Sequence, residues 1–370
     1  MNNQEELIRR EILGIKEYIP GKPIEETQRE LGLTDVIKLA SNENPLGPAK
    51  EVLAAIQETA PAVYLYPDSN RYHLKQALAE HLKLDPAWIF PGNGSDEVIK
   101  LFAEAYFCPG DEVIVAKPTF SVYEYAARLM GAEVVTVPAA DGYRHDLEGM
   151  AAAVTARTKA VFICNPNNPT GTIISRQQLR DFFDRLPQRV LLVIDEAYSD
   201  YVDDEADYGR GRELLESGRV LILRTFSKIY GMAGLRVGYG IAHPALLQWL
   251  ERVKEPFSIN IIAQRAAIAA LQAKEHVALS RRLNAEGKKQ LYRGLTELGL
   301  TYLPTQANFI LFQVPVESKL VYDGMLRRGV ILRMADSFGL PRHLRVTVGT
   351  PEQNTRFLQA LKEVLASSGS

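Results

Sequence analysis

The sequence predicts an α/β fold: a large domain with a mostly parallel sheet flanked by helices, plus a smaller α+β domain built from the N-terminal arm and the C-terminal segment. Ala160–Cys164, Val190–Ile194 and Val220–Leu223 are unbroken apolar runs, as expected of strands buried on both faces. Stretches with helical spacing, such as Gln177–Phe183 and Gly211–Leu215, alternate with them. Beyond about residue 275 the pattern changes to a long charged helix followed by short strands. The expected division is 1–47 for the arm and part of the small domain, 48–273 for the large domain and 274–370 for the C-terminal domain.

In chain order, residues 1–35 read as a short helix and then an arm, interrupted at Pro20-Gly21-Lys22-Pro23. Val36–Leu39 reads as a strand that leads into an Asn/Pro/Gly turn, Ala40 to Pro48. A helix through Val52 and Ile56 comes before Tyr64-Leu65-Tyr66-Pro67-Asp68, and a second runs from Leu74 to Leu82. Trp88–Phe90 reads as a strand before Pro91-Gly92-Asn93-Gly94-Ser95. A Gly-rich turn that opens a helix over 96–106 is a good anion site, because free N–H groups and the helix dipole converge there. It is not a dinucleotide fingerprint, since Glu97 stands where the third glycine belongs. Ser95 could cap this helix, and the Asp96 and Glu97 side chains are expected to point away from it.

Glu112–Ala116 and Gly131–Pro138 read as strands, and a helix follows Asp146 through Val154. Later strands are expected at Gly240–Ala242, Thr301–Leu303, Asn308–Gln313, Val330–Arg333 and Leu344–Gly349. Helices are expected at 244–253, 261–271, 276–298, 319–328 and 351–365. His145 reads as a surface or capping group.

With 43 basic and 45 acidic side chains the net charge is −2, and no long run of one sign points to nucleic acid or a membrane surface as partner. Cys108 and Cys164 read as buried free thiols rather than a disulfide, and the six histidines show no metal-ligand spacing. No 18-residue apolar stretch appears, and Met-Asn-Asn-Gln-Glu-Glu lacks the marks of a signal peptide, so a cytoplasmic location is expected.

The chemistry concentrates where three apolar runs end. Ala160–Cys164 ends in Asn165-Pro166-Asn167-Asn168-Pro169-Thr170-Gly171, Val190–Ile194 in Asp195-Glu196-Ala197-Tyr198, and Val220–Leu223 in the stretch from Thr225 to Gly240 that contains Ser227, Lys228 and Arg236. Carboxyl ends of strands are where open α/β sheets bind ligands. A lysine desolvated there can attack an aldehyde cofactor as a neutral amine. The set suits pyridoxal phosphate, whose ring nitrogen needs a carboxylate, whose ring oxygen needs hydrogen-bond donors and whose phosphate needs an arginine.

From about Ile37 to Gly349 the chain resembles the fold-type I (aspartate aminotransferase superfamily) pyridoxal-phosphate enzymes, and within them the histidinol-phosphate aminotransferase family. The motifs that carry this are Asn-Pro-x-Asn-Pro-Thr-Gly, Asp-Glu-Ala-Tyr and Ser-Lys-x-x-Gly-x-x-Gly-Leu-Arg-x-Gly. The resemblance implies a homodimer with shared active sites that moves an amino group between a small-molecule donor and 2-oxoglutarate. It implies that Lys228 holds the cofactor and shuttles the proton, and that Asp195 faces the ring nitrogen. Asn168 and Tyr198 would face the ring oxygen, while Phe120 stacks on the ring. Gly94, Ser95, Asp96, Thr225, Ser227, Arg236 and the partner's Tyr66 would surround the phosphate. Tyr18, Asn44, Arg333 and Arg345 would meet the substrate.

Aromatic amino acid aminotransferases and phosphothreonine decarboxylases of the superfamily remain alternatives. A non-catalytic regulator should carry a DNA-binding module, and no basic helix-turn-helix segment precedes Ile37.

Overall fold

The computed structural model describes residues 7–15, 17, 21–203 and 207–368. Tyr18 lies outside the described residues. The strands are β1 (Ile37–Lys38), β2 (Ile89–Gly92), β3 (Glu112–Lys117), β4 (Glu133–Pro138), β5 (Thr158–Cys164), β6 (Leu191–Asp195), β7 (Val220–Thr225), β8 (Gly238–Ala242), β9 (Phe309–Gln313), β10 (Val330–Ile331), β11 (Arg333–Met334) and β12 (His343–Thr347). Seven of them form one sheet in the order β2-β8-β7-β6-β5-β3-β4. Only β8 runs antiparallel to its neighbours.

Strand pleating sends successive side chains to opposite faces, and the sequence supplies apolar residues to both. Ile114, Val161, Ile163, Leu192, Ile194 and Ile222 face one core, together with side chains from helices Lys50–Thr59, Tyr72–Leu82, Arg176–Arg185 and Ile261–Gln272. Val115, Phe162, Val193, Leu221 and Leu223 face the other, under helices Ser95–Tyr106, Val122–Leu129 and Pro244–Val253. Each fully buried aliphatic side chain here contributes about 1.5–3 kcal/mol. The sheet is therefore a rigid platform, and the loops at its carboxyl edge inherit fixed positions.

A separate core forms around β9, β12 and helices Lys274–Glu297 and Pro351–Ser368. There β11, β12 and β9 make a three-stranded antiparallel sheet, and β1 pairs in parallel with β10. The chain thus returns its residue 37–38 segment to this C-terminal unit, which carries residues 40–44 across to the large sheet.

Several expectations are corrected. A helix, Ile24–Leu31, occupies the stretch read as an arm. Trp88 lies in the 3-10 turn Pro86–Trp88 rather than in a strand. Thr301–Leu303 forms only the isolated bridge Tyr302↔Phe312, because Pro304 has no N–H to continue a ladder. The single strand expected over 330–333 breaks at Leu332, with β10 and β11 paired to different partners. Cys108 is exposed, whereas Cys164 is buried. His145 is neither surface group nor cap: it is buried, and its Nε2 donates to the Cys164 carbonyl at 2.9 Å.

Candidate active site

Cys164, Asp195 and Leu223 are register partners on β5, β6 and β7, so three loops leave the sheet side by side. In the loop after β5, Asn165 and Asn167 are braces. Asn165 donates to the Gly209 carbonyl at 2.9 Å and accepts from the Ile174 N–H at 2.9 Å. Asn167 donates to the Pro118 carbonyl at 3.0 Å and accepts from the Thr119 hydroxyl at 2.8 Å. Asn168, so presented, accepts through Oδ1 from Arg345 Nη1.

Asp195 ends β6 and is 4% exposed. One carboxylate oxygen accepts the Ala197 N–H at 3.0 Å and the other the Tyr123 hydroxyl at 2.6 Å. Burial pushes its carboxyl up to about 6, against the pull of those two donors. An acid so placed gains by meeting a cation. Glu196 has a structural role instead: its carboxylate is buried against Arg224 at 3.2 Å and accepts the Gly211 N–H at 2.8 Å.

Lys228 follows Thr225 and Ser227, whose N–H donates to Thr225 Oγ1 at 3.0 Å. Its Nζ donates to the Ser41 carbonyl at 3.2 Å and lies 5.5 Å from the centre of the Tyr198 ring. Burial first, and the positive charge of Arg345 second, lower the ammonium pKa to about 8. The glycine three residues on is obligatory. A Cβ at Gly231 would stand 2.1 Å from the Gly47 carbonyl oxygen, and its φ is +68°.

The helix Ser95–Tyr106 begins beside this loop. Gly94 is its N-cap with φ 81°, so Ser95 is the first helical residue and not the cap considered from the sequence. Nor does Asp96 turn aside: its carboxylate lies 3.3 Å from Arg236 Nη2, while Glu97 folds back onto the Asn93 N–H at 2.6 Å. Arg236 also lies 3.4 Å from Ser227 Oγ. A Cβ at Gly94 would come within 2.7 Å of the same guanidinium. Free helix amides, a hydroxyl, an arginine and the space left by a missing Cβ make a cradle that fits a phosphate group.

Arg345 on β12 is 5% exposed, and its Nη2 donates to the Ala40 carbonyl at 2.9 Å. Arg333 is its cross-strand partner on β11. Phe120 is half-buried and meets Tyr123 edge-on with ring centres 5.6 Å apart. Asn44 is spent on bracing, donating to the Ile229 carbonyl and to Ser280 Oγ, both at 2.8 Å. Tyr66 is not brought to this cradle within the chain. It is 80% exposed and stacks on Phe257 with ring centres 4.6 Å apart.

Two residues of the site escaped the sequence reading. Tyr123 is wholly buried and bonds Asp195; only its place among aromatics after β3 hinted at it. Asn42 is buried and donates to the Tyr198 hydroxyl at 2.9 Å. Its signal was an asparagine in an Asn/Pro/Gly turn, a residue that tolerates the left-handed φ of 59° found here.

A buried carboxylate, an amide with a phenol, a lysine of lowered pKa and a phosphate cradle at one sheet edge fit pyridoxal phosphate group by group. Among the described residues no cluster of His, Cys, Asp or Glu could hold a metal ion. The fold and this constellation define a pyridoxal-phosphate-dependent transaminase of fold type I. The chain belongs to the aminotransferase class I and II family, whose model matches residues 34–361.

It is 54% identical to histidinol-phosphate aminotransferase of Moorella thermoacetica, over 97% of this chain and 93% of that one. It is 48% identical to histidinol-phosphate aminotransferase of Symbiobacterium thermophilum, over 97% and 98%. The crystal structure of histidinol-phosphate aminotransferase from Sinorhizobium meliloti in complex with pyridoxal-5'-phosphate superposes with a TM-score of 0.89 at 30% identity, covering 98% of each chain.

Proposed function

We propose that this transaminase moves the amino group of histidinol phosphate to 2-oxoglutarate, giving imidazole-acetol phosphate and glutamate in histidine biosynthesis. The names of its relatives support the donor. The observation that carries it is the cross-strand pair Arg333 and Arg345. Histidinol phosphate has a phosphate and no α-carboxylate, whereas glutamate has carboxylates and no phosphate. One cationic subsite must therefore accept either anion, and guanidinium forks match both geometries.

When bound, the cofactor supplies an aldehyde for the amino group and a protonated ring that draws electrons from the substrate's Cα–H bond. Lys228 Nζ, held low in pKa by burial, carries the proton at Cα. Asp195 holds the proton on the ring nitrogen. Tyr198 and Asn168 donate toward the ring oxygen, and Phe120 covers the ring. Arg236, Ser227, Thr225 and the amides of Ser95 and Asp96 bind the phosphate, while Gly94, whose own N–H donates to the Gly92 carbonyl at 2.8 Å, leaves room for it by lacking a Cβ. Arg345 orients the substrate's anionic end, with Arg333 adding to it for a phosphate.

The enzyme acts as a homodimer, with exposed Tyr66 serving the partner's phosphate cradle. No helix among the described residues is long and apolar enough to cross a membrane, and a biosynthetic role fits the cytoplasm. The large unit comprises 48–273, flanked by 1–47 and 274–370.

The test is an amino-transfer assay with 2-oxoglutarate against histidinol phosphate, phenylalanine, tyrosine and aspartate. Preference for histidinol phosphate by at least an order of magnitude in kcat/KM is expected. Preference for phenylalanine would reassign the donor class.

A further inference from the structure

Three consecutive residues between the two structural units each meet a different side chain of the site. The Ala40 carbonyl accepts from Arg345 Nη2 at 2.9 Å, and the Ser41 carbonyl accepts from Lys228 Nζ at 3.2 Å. Asn42 Nδ2 donates to the Tyr198 hydroxyl at 2.9 Å. Of the three, only Asn42 acts through its side chain, so only it can be changed by substitution without rebuilding the backbone.

Every polar group of Asn42 is committed. Its N–H donates to Thr347 Oγ1 at 3.0 Å, and its carbonyl accepts from Asn308 Nδ2 at 3.0 Å. Because the Thr347 hydroxyl already accepts that N–H, its own proton points to Asn42 Oδ1, 3.4 Å away. This fixes the amide with Oδ1 toward Thr347 and Nδ2 toward Tyr198. A phenol has a single proton. Since Asn42 donates to the phenol oxygen, that proton is left to point elsewhere. Burial raises the Tyr198 pKa, so the proton is retained at neutral pH. Thr347 lies two residues after Arg345 on β12, so the same amide ties the phenol to the arginine-bearing strand.

We propose that Asn42 is a positioning residue, whose amide turns the Tyr198 hydroxyl so that its proton is donated to the ring oxygen of the bound cofactor. This rests on the pyridoxal-phosphate reading of the site. The groups that face the phenol are Arg345, Cys164, Asp195, Tyr201 and Lys228, whereas the Asn42 side chain bonds to Tyr198 and Thr347.

The experiment measures the pH midpoint of the visible band of the cofactor held by Lys228, in wild type, Asn42→Gly and Asn42→Asp. Glycine keeps the left-handed backbone and deletes the amide. Aspartate keeps backbone and shape but accepts the phenol proton instead of directing it. A donor to the ring oxygen favours its ionised form and lowers the midpoint, so its loss raises it. Both variants should titrate higher, Asn42→Asp by about one unit, a tenfold change in proton affinity. Both shifts should vanish in a Tyr198→Phe background.

Lower thermal stability with an unmoved midpoint would make Asn42 a merely structural brace and overturn the proposal. A shift that persists without the Tyr198 hydroxyl would overturn it too, as a charge effect that bypasses the phenol. A wild-type protein with no such band would instead sink the cofactor reading beneath it.

Discussion

Arg333 and Arg345 stand directly opposite each other across the antiparallel pair β11 and β12, so both side chains leave the same face of that sheet. Like charges so placed are unfavourable, and an anion shared between them removes the repulsion. Arg345→Ala should weaken both half-reactions, because either anion loses its fork. Arg333→Ala should weaken the histidinol-phosphate half more. Each loss is expected at roughly 1.5–3 kcal/mol, or about one to two decades in kcat/KM, measured by single-turnover kinetics for each half. A harmless Arg333→Ala with phenylalanine preferred as donor would point to an aromatic aminotransferase.

Arg345 differs from Arg333 in holding Asn168 Oδ1. Its removal should therefore also perturb the absorbance of the bound cofactor before any substrate is added, and Arg333→Ala should not. Identical spectra for the two variants would argue against that coupling.

Lys228 reacts with an aldehyde only as the neutral amine. In cofactor-free protein its ammonium sits at about 8 instead of 10.5, mainly through burial. The rate of cofactor capture should thus rise with pH through about 8, and Lys228→Ala should capture none covalently. Stopped-flow absorbance across pH 6.5–10.5 checks this, and a midpoint near that of an ordinary lysine would contradict it.

Asp195 makes the opposite demand on stability. Its carboxyl is raised to about 6 from 3.8 by burial, so the folded cofactor-free protein binds the proton more tightly than the unfolded chain does. The contribution from a raised acid is present below the unfolded value and is lost as pH rises through the folded one. The two-unit gap corresponds to roughly 3 kcal/mol at pH 7. Asp195→Asn should therefore melt higher than wild type at pH 7 without cofactor, converge with it near pH 4, and lose turnover. Thermal denaturation of both proteins across that range decides it.

Tyr66 has no role at the cradle of its own chain, being stacked on Phe257 at the surface. Mixing Lys228→Ala with Tyr66→Ala protein should form heterodimers in which one site has both residues intact. Recovered turnover on mixing is expected, and sedimentation as a monomer would exclude it.

The sequence by itself determined the sheet, its helices and the order in which Asn168, Asp195 and Lys228 appear at its edge. Those signals are local, since a run of apolar residues marks a strand buried on both faces and the residues just after it stand at its carboxyl end. Local patterns misread Thr301–Leu303, His145 and Cys108, because a short apolar stretch does not say whether a partner strand or a cover exists. Only the tertiary structure decided which groups complete the site. Tyr123 reaches Asp195 across 72 residues, Asn42 reaches Tyr198 across 156 and Arg345 reaches Asn168 across 177. No periodicity encodes such pairs. They arise because packing places buried donors and acceptors where each must find a partner or bear the full cost of desolvation.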